Sequence, residues 1–362
     1  MQKGKPVSNN RYLYISGRIK ALELQLMDSA RLARLSDART VEDIGRILSD
    51  SGYPAAADPE TRLNLEMAGL FEMLRNLFPE PAFIDILLIF HDFHNLKVIL
   101  KNLTPAWPRF VSADEEPEIA ILPESAVPFS LASSKDLKPY FLSPSLVDPQ
   151  LVFTAIRDRQ ASLIPAWLYD AAVEAVRGYQ YSYDIGGIDV QLDKAAYKLA
   201  LEKARLLGSK FFTGYLELLI DQINLGLLLR TRYLHSGRDY LAQALLEGGN
   251  VPVSLITELY ALPAEQIQAA YGSTAYAHLA DLAAEYGQIG SAGRFSRMAD
   301  NLVIDYISQA RQLWCGPEIP LAYLIARLME IKNVRIVLTC LRNGLVASQA
   351  RDLSRDSYLP WR

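Results

Sequence analysis

The chain has 362 residues, of which 50% are apolar and 22% are charged, and its formal net charge is −4. This apolar fraction is ample for a packed core and excludes a disordered chain, while the mild acidity gives no basis for nucleic-acid binding. The two cysteines, Cys315 and Cys340, are too few for a disulfide framework. They indicate a reducing compartment, and we expect both thiols to be buried as small apolar groups.

The most apolar windows are too short to cross a membrane. They cover residues 82–90, which Asp85 interrupts, and residues 319–331, which Arg327 interrupts. A spanning helix needs about 20 apolar residues. The first ten residues lack the apolar core of a signal peptide. We therefore expect no membrane span, so that work at a membrane would depend on a partner.

Helical periodicity predicts an all-α fold. Residues 18–35 place apolar side chains at helical intervals and fill the gaps with charge. Thr40, with Asp43 three residues later, is typical of a helix N-terminal cap. Residues 192–208 are rich in Ala, Leu, Lys and Glu and stop at a glycine, which predicts a helix that ends there. The Gly-Gly pair within residues 179–190 favours a turn between helices.

Residues 105–149 differ from the rest of the chain. They contain eight of its 19 prolines. Since proline removes an amide donor and fixes φ, no long helix can run through this segment. It is predicted to be a long ordered connection between two domains, with at most short helical pieces.

One helix motif occurs three times in the chain. It reads DFHNLKVILKNL, DQINLGLLLRTR and EIKNVRIVLTCL, and in each copy an acid is followed three residues later by an asparagine and then by an apolar run. The acids are Asp92, Asp221 and Glu330, and the asparagines are Asn95, Asn224 and Asn333. The acids lie 129 and 109 residues apart, a spacing that predicts helical domains at 1–104, 105–233 (including the connection) and 234–362.

Each copy is apolar on two sides of its helix. Counted from the acid, positions −6, −5, −2, +4, +6, +7 and +8 are apolar in all three copies. A helix of this kind is buried on most of its surface, so each copy is predicted to lie at the centre of a domain. A buried asparagine needs hydrogen-bond partners, for which the ends of neighbouring helices are the best candidates. The acid–asparagine pairs are therefore predicted to be structural, and their recurrence argues against a catalytic role.

Other candidate sites have stronger structural explanations. His91 and His94 flank Asp92, but zinc needs three or four ligands, and the remaining histidines are distant in sequence. The glycine-rich residues 287–295 lack a phosphate-binding motif, which favours a turn between helices. Tyr179, Tyr181 and Tyr183 have no basic stripe beside them, so packing is favoured over base stacking. No catalytic residue, metal or cofactor is predicted.

The chain resembles the C-subunit family of V-type and A-type rotary ATPases, whose members in eukaryotic V-ATPases are called d subunits. The resemblance rests on YLYISGRIKALELQLM (12–27), DFHNLKVILK (92–101), DQINLGLLLR (221–230) and EIKNVRIVLTCLRNGL (330–345). It implies a funnel of three similar helical domains with pseudo-threefold symmetry, placed on the cytoplasmic face of the membrane rotor ring. The resemblance also implies that the central shaft enters the funnel, and that the protein links the shaft to the proteolipid ring without binding nucleotide or moving ions itself.

The basic residues that follow the asparagines are candidates for contact with acidic groups on the shaft. A solvated helix face is the alternative explanation. These residues are Lys97, Lys101, Arg230, Arg232, Arg335 and Arg342. Two other functions stay open at this point. One is a free-standing helical scaffold for protein–protein interaction, and the other is a helical enzyme with an unrecognised site.

Overall fold

A computed structural model describes residues 9–104 and 134–359. Over these residues the chain is helical and contains no β-strand, which confirms the all-α prediction. The α-helices are α1 (Leu13–Leu22), α2 (Ser29–Ser36), α3 (Val41–Asp50), α4 (Pro59–Leu77), α5 (Ala82–Leu103), α6 (Ser134–Leu137), α7 (Pro149–Arg157), α8 (Ala166–Ser182), α9 (Ile185–Leu207), α10 (Lys210–Tyr233), α11 (Arg238–Ala244), α12 (Val253–Leu259), α13 (Ala264–Tyr271), α14 (Ala277–Ala280), α15 (Ser291–Ser308), α16 (Glu318–Arg342) and α17 (Ala347–Leu353). Short 3-10 helices cover Asn9–Tyr12, Glu23–Gln25, Lys138–Tyr140, Ala161–Leu163, Asp281–Ala284 and Gln309–Gln312.

Local capping signals fix several helix ends as predicted. Thr40 and Asp43 form a reciprocal capping box at the start of α3, with both hydrogen bonds at 3.1 Å. Helix α9 ends at Leu207, and Gly208 follows with φ of 71°, a conformation that favours glycine. The turn before α9 lies at Tyr183, whose φ is 55°. The Gly-Gly pair is therefore inside the first turn of α9 rather than in the connection.

The helix predicted over residues 18–35 is two helices. Helix α1 ends at Leu22, and the backbone is extended at Leu26. Asp28 then caps α2, because its side chain accepts a 2.8 Å hydrogen bond from the Arg31 amide. The break frees the backbone amide of Met27 for a partner outside its own helix.

The predicted proline-rich connection is described only in part, since residues 105–133 lie outside the described residues. Its remainder, residues 134–149, contains short helical pieces, as expected: α6 and the 3-10 helix Lys138–Tyr140. Pro149 occupies the first turn of α7, where its missing amide donor costs no hydrogen bond.

The contacts divide the chain into two compact units. The larger unit comprises Met1–Ile84, Ala204–Ala242 and Gly248–Arg362, and the smaller comprises Asp85–Lys203 and Gln243–Glu247. In the smaller unit, α5 packs its apolar side chains against those of α7, α8 and α9. In the larger unit, α16 packs against α1, α4 and α15. The predicted domains at 1–104, 105–233 and 234–362 stay a prediction.

The three motif helices, α5, α10 and α16, are called central helices below. Positions +4, +7 and +8 from the acid are buried in all three, while position +6 is half-buried in each. The buried residues are Leu96, Ile99, Leu100, Leu225, Leu228, Leu229, Val334, Val337 and Leu338. The predicted burial of this side of the motif helix is therefore confirmed.

Candidate functional site

The first acid–asparagine pair binds the backbone that precedes α7. Asp92 Oδ1 accepts hydrogen bonds from the amides of Leu146 (3.0 Å) and Val147 (3.1 Å). Asn95 accepts from the Leu142 amide at 2.7 Å and donates to the Leu142 carbonyl at 3.0 Å. Both side chains are 1% exposed. An asparagine that satisfies both backbone groups of one residue fixes the path of that segment as a strand neighbour would. We call this set the first junction.

The neighbouring histidines bind the same segment. The His91 Nδ1 atom lies 2.6 Å from the Pro144 carbonyl oxygen, and the His94 Nε2 atom lies 3.2 Å from that of Tyr140. Burial lowers the pKa of His91, which favours the neutral ring. Over the described residues, no three or more His, Cys, Asp and Glu side chains come together as a metal site.

Asp92 is a buried carboxyl group without a cationic partner among the described residues. Its Oδ2 atom accepts no hydrogen bond from them. Burial raises the pKa of Asp92 to about 7, although the Val147 and Leu146 amides pull it the other way. The first junction therefore holds a group that titrates near neutral pH.

The second junction uses an acid with more partners. Asp221 is fully buried and accepts hydrogen bonds from the amides of Asn250 (2.9 Å) and Val251 (3.0 Å) and from the Tyr276 hydroxyl (2.7 Å). Asn224 is also fully buried. The hydrogen bonds of Asp221 join α10 to the segment that precedes α12.

Because Gly249 has no side chain, the segment that precedes α12 can lie close to Asp221. A Cβ atom at this position would lie 2.1 Å from Asp221 Oδ1, far inside van der Waals contact. We expect Gly249→Ala to lower the free energy of unfolding of the larger unit by about 1–3 kcal/mol, because the junction must open to admit the methyl group. Chemical denaturation measures this loss. Gly69→Ala is the matched control, since Gly69 lies within α4 with nothing near its Cβ position, so that alanine should be neutral or stabilising there. Equal effects of the two substitutions would contradict this role of Gly249.

The third junction draws on both ends of the described chain. Glu330 accepts a hydrogen bond from the amide of Met27, just before α2. Asn333 accepts from the Arg355 amide at 2.8 Å and donates to the Arg355 carbonyl at 3.2 Å, after α17. The Ser357 hydroxyl donates to the Met27 carbonyl at 2.7 Å, which joins the two segments to each other.

The three junctions share one register. Each acid accepts the amide of the residue immediately before a helix N-cap: Val147 before Asp148, Val251 before Pro252, and Met27 before Asp28. The first and third asparagines also make the same two-bond pairing with a single residue, Leu142 or Arg355. Sequence reasoning missed that the third partner lies near the start of the chain. The Asp28 capping signal inside the apparent 18–35 helix was the available clue.

Arg327 organises a buried ion cluster beside the third junction. Its side chain is 1% exposed. It donates to Glu66 on α4 (2.7 Å), to Glu330 (2.9 Å) and to the Ser51 carbonyl (2.9 Å). Its guanidinium lies 4.0 Å from the centre of the Tyr53 ring. Burial raises the pKa of Glu330, against the opposing effects of Arg327 and the Met27 amide.

Most of the basic residues predicted as partner contacts have internal partners. Lys97 pairs with Asp193 on α9 (2.6 Å), Lys101 with Asp189 (2.5 Å) and Arg335 with Glu60 on α4 (2.8 Å). Arg232 donates to carbonyls at the end of α12, including that of Tyr260 at 2.7 Å. Arg230 and Arg342 are exposed. Contact between any of the six and another protein stays a prediction.

The remaining sequence features have structural settings. Of residues 287–295, only the part before Ser291 forms the predicted turn, with Gly287 and Gly290 at positive φ, whereas residues 291–295 are the first turn of α15. Arg294 in the first turn of α15 pairs with Glu285. The Tyr179 and Tyr183 rings stack at 5.0 Å, consistent with packing. Cys315 and Cys340 are both buried, as predicted, and form no disulfide with each other.

Within the described residues, α10 is the one helix long and apolar enough to qualify as a membrane span by length and composition. Sequence reasoning did not single it out. Of its apolar window, 61% is buried inside the protein, and the core helix of a globular protein passes the same test. Its apolarity is accounted for by its central position in the larger unit.

Comparison with known proteins matches almost the whole chain to one family. The family model described as ATP synthase (C/AC39) subunit matches residues 15–353. The matched range includes the acid and the asparagine of all three junctions.

Individual relatives agree with this match. The C subunit of the V-type sodium ATPase of Enterococcus hirae is 22% identical over 359 residues, covering 96% of this chain and 99% of the relative. The C subunit of the A-type ATP synthase of Methanocaldococcus jannaschii is 23% identical, covering 94% of this chain and 86% of the relative. The corresponding C subunit of the A-type ATP synthase of Pyrococcus horikoshii is 19% identical, with 94% and 90% covered.

Proposed function

Because the chain belongs to the ATP synthase (C/AC39) subunit family, we propose that it is a non-catalytic central-stalk subunit of a V/A-type rotary ATPase. In this role it joins the rotating shaft to the membrane rotor ring, so that ATP hydrolysis or synthesis is coupled to transport of protons or sodium ions. Its partners are the shaft subunits and the proteolipid subunits of the ring. It lies on the cytoplasmic side, peripheral to the membrane.

The recurrence of one junction on three central helices is the observation that carries the proposal. In each copy an acid binds the amide before a helix N-cap. Three equivalent junctions are what a fold of three similar helical domains around a common axis requires. We propose this pseudo-threefold funnel as the architecture, because a hub of that kind offers a circular footprint to a ring and an opening to a shaft.

Dense packing of the central helices supports a mechanical role. Helix α16 buries 16 of its 25 residues, among them the ion-paired Arg327. Close-packed interiors have low compressibility and transmit strain. A coupling subunit must carry torque without yielding. Junctions in which side chains of a central helix bind the backbone of a neighbouring segment resist sliding of one past the other.

The proposal is tested by which subunits copurify with the chain and by whether the purified complex couples ATP hydrolysis to ion transport. We expect an affinity-tagged copy of this chain, expressed in its own host, to copurify with an elongated shaft subunit and a proteolipid ring. Reconstituted complexes that lack this chain should hydrolyse ATP without transporting ions. A pH-sensitive dye measures proton transport, and uptake of radioactive sodium measures sodium transport. Ion transport that persists at the full rate without the chain would overturn the coupling role. Recovery of the chain alone, or with unrelated peptides, would favour a free-standing scaffold.

A further inference from the structure

The third junction differs from the first in how its two halves are connected. In the first junction, the residue held by the asparagine, Leu142, and the residue held by the acid, Val147, belong to one continuous segment. In the third junction these two places are taken by Arg355 and Met27, which come from opposite parts of the chain. The short stretch of backbone that ties the two halves together in the first junction is therefore missing from the third.

Residues 354–359, which we call the strap, supply the asparagine-bound half of the third junction. They follow α17 and lie outside any helix. Two asparagines hold the strap. Asn333 of α16 pairs with both backbone groups of Arg355, while Asn301 of α15 accepts from the Asp356 amide at 2.9 Å and donates to the Asp356 carboxylate at 2.7 Å. The amides of Arg355 and Asp356 are thus held by side chains of neighbouring helices and not by a helix of their own.

The far end of the strap lies against the segment that contains Met27. The Ser357 hydroxyl donates to the Met27 carbonyl at 2.7 Å, across 330 positions of sequence. Leu359 forms an isolated parallel bridge with Asp28, and the side chains of Tyr358 and Leu359 are buried. The strap therefore links the asparagine-bound half of the third junction to the acid-bound half without a covalent connection nearby.

The strap can leave without stranding a buried charge. Arg355 Nε lies 2.6 Å from Asp300 Oδ2, but Lys332 Nζ lies 2.5 Å from the same oxygen and belongs to α16. Glu330 is paired with Arg327, which is also on α16. The loss of one partner from a buried ion pair is costly when the remaining charge has no other partner, and here each carboxylate keeps a cation. Release of the strap therefore costs hydrogen bonds and buried apolar area, but no unpaired carboxylate.

We infer that the strap is a detachable closure of the third junction, and that the larger unit opens here first, by release of residues 354–359 with its helices intact. The two halves of this junction can separate because no adjoining backbone holds them together. The second junction has no such route, since Asn250 and Val251 lie next to each other on one segment. This opening is a property of the chain by itself and does not depend on the proposed function.

Hydrogen exchange of the intact chain tests this opening. The amides of Arg355 and Asp356 should exchange at least about tenfold faster than that of Val251, after correction for intrinsic rates, because a local opening needs less free energy than unfolding of the whole unit. Val251 is the internal reference, since it belongs to the same unit and donates to the buried Asp221. Equal protection of these three amides would mean that the strap opens only with the whole unit, which would overturn the proposal.

Two substitutions separate release of the strap from unfolding of the larger unit. Asn301→Ala removes both bonds to Asp356, so we expect it to accelerate exchange of the strap amides by about tenfold. Gly249→Ala strains the second junction, which stays closed when only the strap leaves. It should therefore accelerate exchange at Val251 and leave the strap amides at their wild-type rate.

Asn64→Ala is the matched control for Asn301→Ala. Asn64 lies on the exposed surface of α4 and accepts one hydrogen bond from Arg335 of α16 at 2.9 Å, a bond that release of the strap does not break. Its loss should leave exchange of the strap amides unchanged. The proposal would be wrong if Gly249→Ala accelerated the strap as much as Val251, or if Asn301→Ala did not accelerate the strap.

Discussion

Arg327→Met should lower the free energy of unfolding of the larger unit by about 3–5 kcal/mol. Arg327 is 1% exposed and binds Glu66, Glu330 and the Ser51 carbonyl. Methionine fills a similar volume but leaves two carboxylates without their cation in a poorly solvated site. Removing one partner of a buried ion pair is costly because the remaining charge cannot be hydrated.

The two buried cysteines allow this loss of stability to be measured specifically in the larger unit of the chain. Cys315 and Cys340 are 4% and 3% exposed, and both belong to the larger unit. The rate of thiol labelling at increasing denaturant therefore reports the opening of that unit. We expect Arg327→Met to shift thiol exposure to lower denaturant concentration.

Arg335→Met is the matched control, since it lies on the same helix and also pairs with an acid of α4. Its side chain is 39% exposed, and that of Glu60 is 38% exposed. An exposed pair contributes at most about 1 kcal/mol, so this control should change stability little. Adding Glu330→Gln to Arg327→Met should recover about 1–2 kcal/mol, because the glutamine still accepts the Met27 amide and carries no charge. Similar losses from Arg327→Met and Arg335→Met would contradict the importance of the buried cluster.

Asp92→Asn should remove a pH dependence of the smaller unit. Folded Asp92 holds its proton up to about pH 7, whereas an unfolded aspartate loses it near pH 4. The folded chain therefore binds more protons between these values, so the free energy of unfolding falls as pH rises through this window and levels off above it. Across this pH window the free energy of unfolding falls by up to about 4 kcal/mol. Asparagine is neutral throughout and keeps an oxygen to accept the Leu146 and Val147 amides.

Hydrogen exchange of residues 142–157, corrected for the intrinsic effect of pH, measures this difference. We expect the variant and the wild type to match near pH 4, and the variant to be better protected above about pH 7. The other titratable groups around Asp92 are His91, His94 and Asp85. The lowered pKa of His91 works in the opposite direction, with stability lost as pH falls. Both proteins contain these groups, so their contributions cancel in the comparison. If the difference in protection between the two proteins stayed constant across the pH range, this would contradict the assignment of the pH dependence to Asp92.

The all-α fold and the central helices could be predicted from the sequence because their signals are local. Apolar residues at positions +4, +7 and +8 of each motif predicted burial, and the structure buries all nine. The Thr40 cap and the helix end before Gly208 were also predicted, since a cap depends on residues three or four positions away. The exception was the 18–35 segment, where helical periodicity continues across a break at Asp28.

Only the tertiary structure decided which residues the acids and cations bind. Glu330 meets Met27 across 303 positions, Arg327 meets Glu66 across 261, and Lys97 meets Asp193 across 96. No periodicity in a sequence encodes such pairs, because a hydrogen bond depends on which backbone groups the packing of distant helices leaves free. The sequence by itself determined that three helices would be buried with an acid and an asparagine on each. The fold determined that each acid would bind the amide before a helix cap, since those amides lie just outside the helix and a buried amide needs a hydrogen-bond partner.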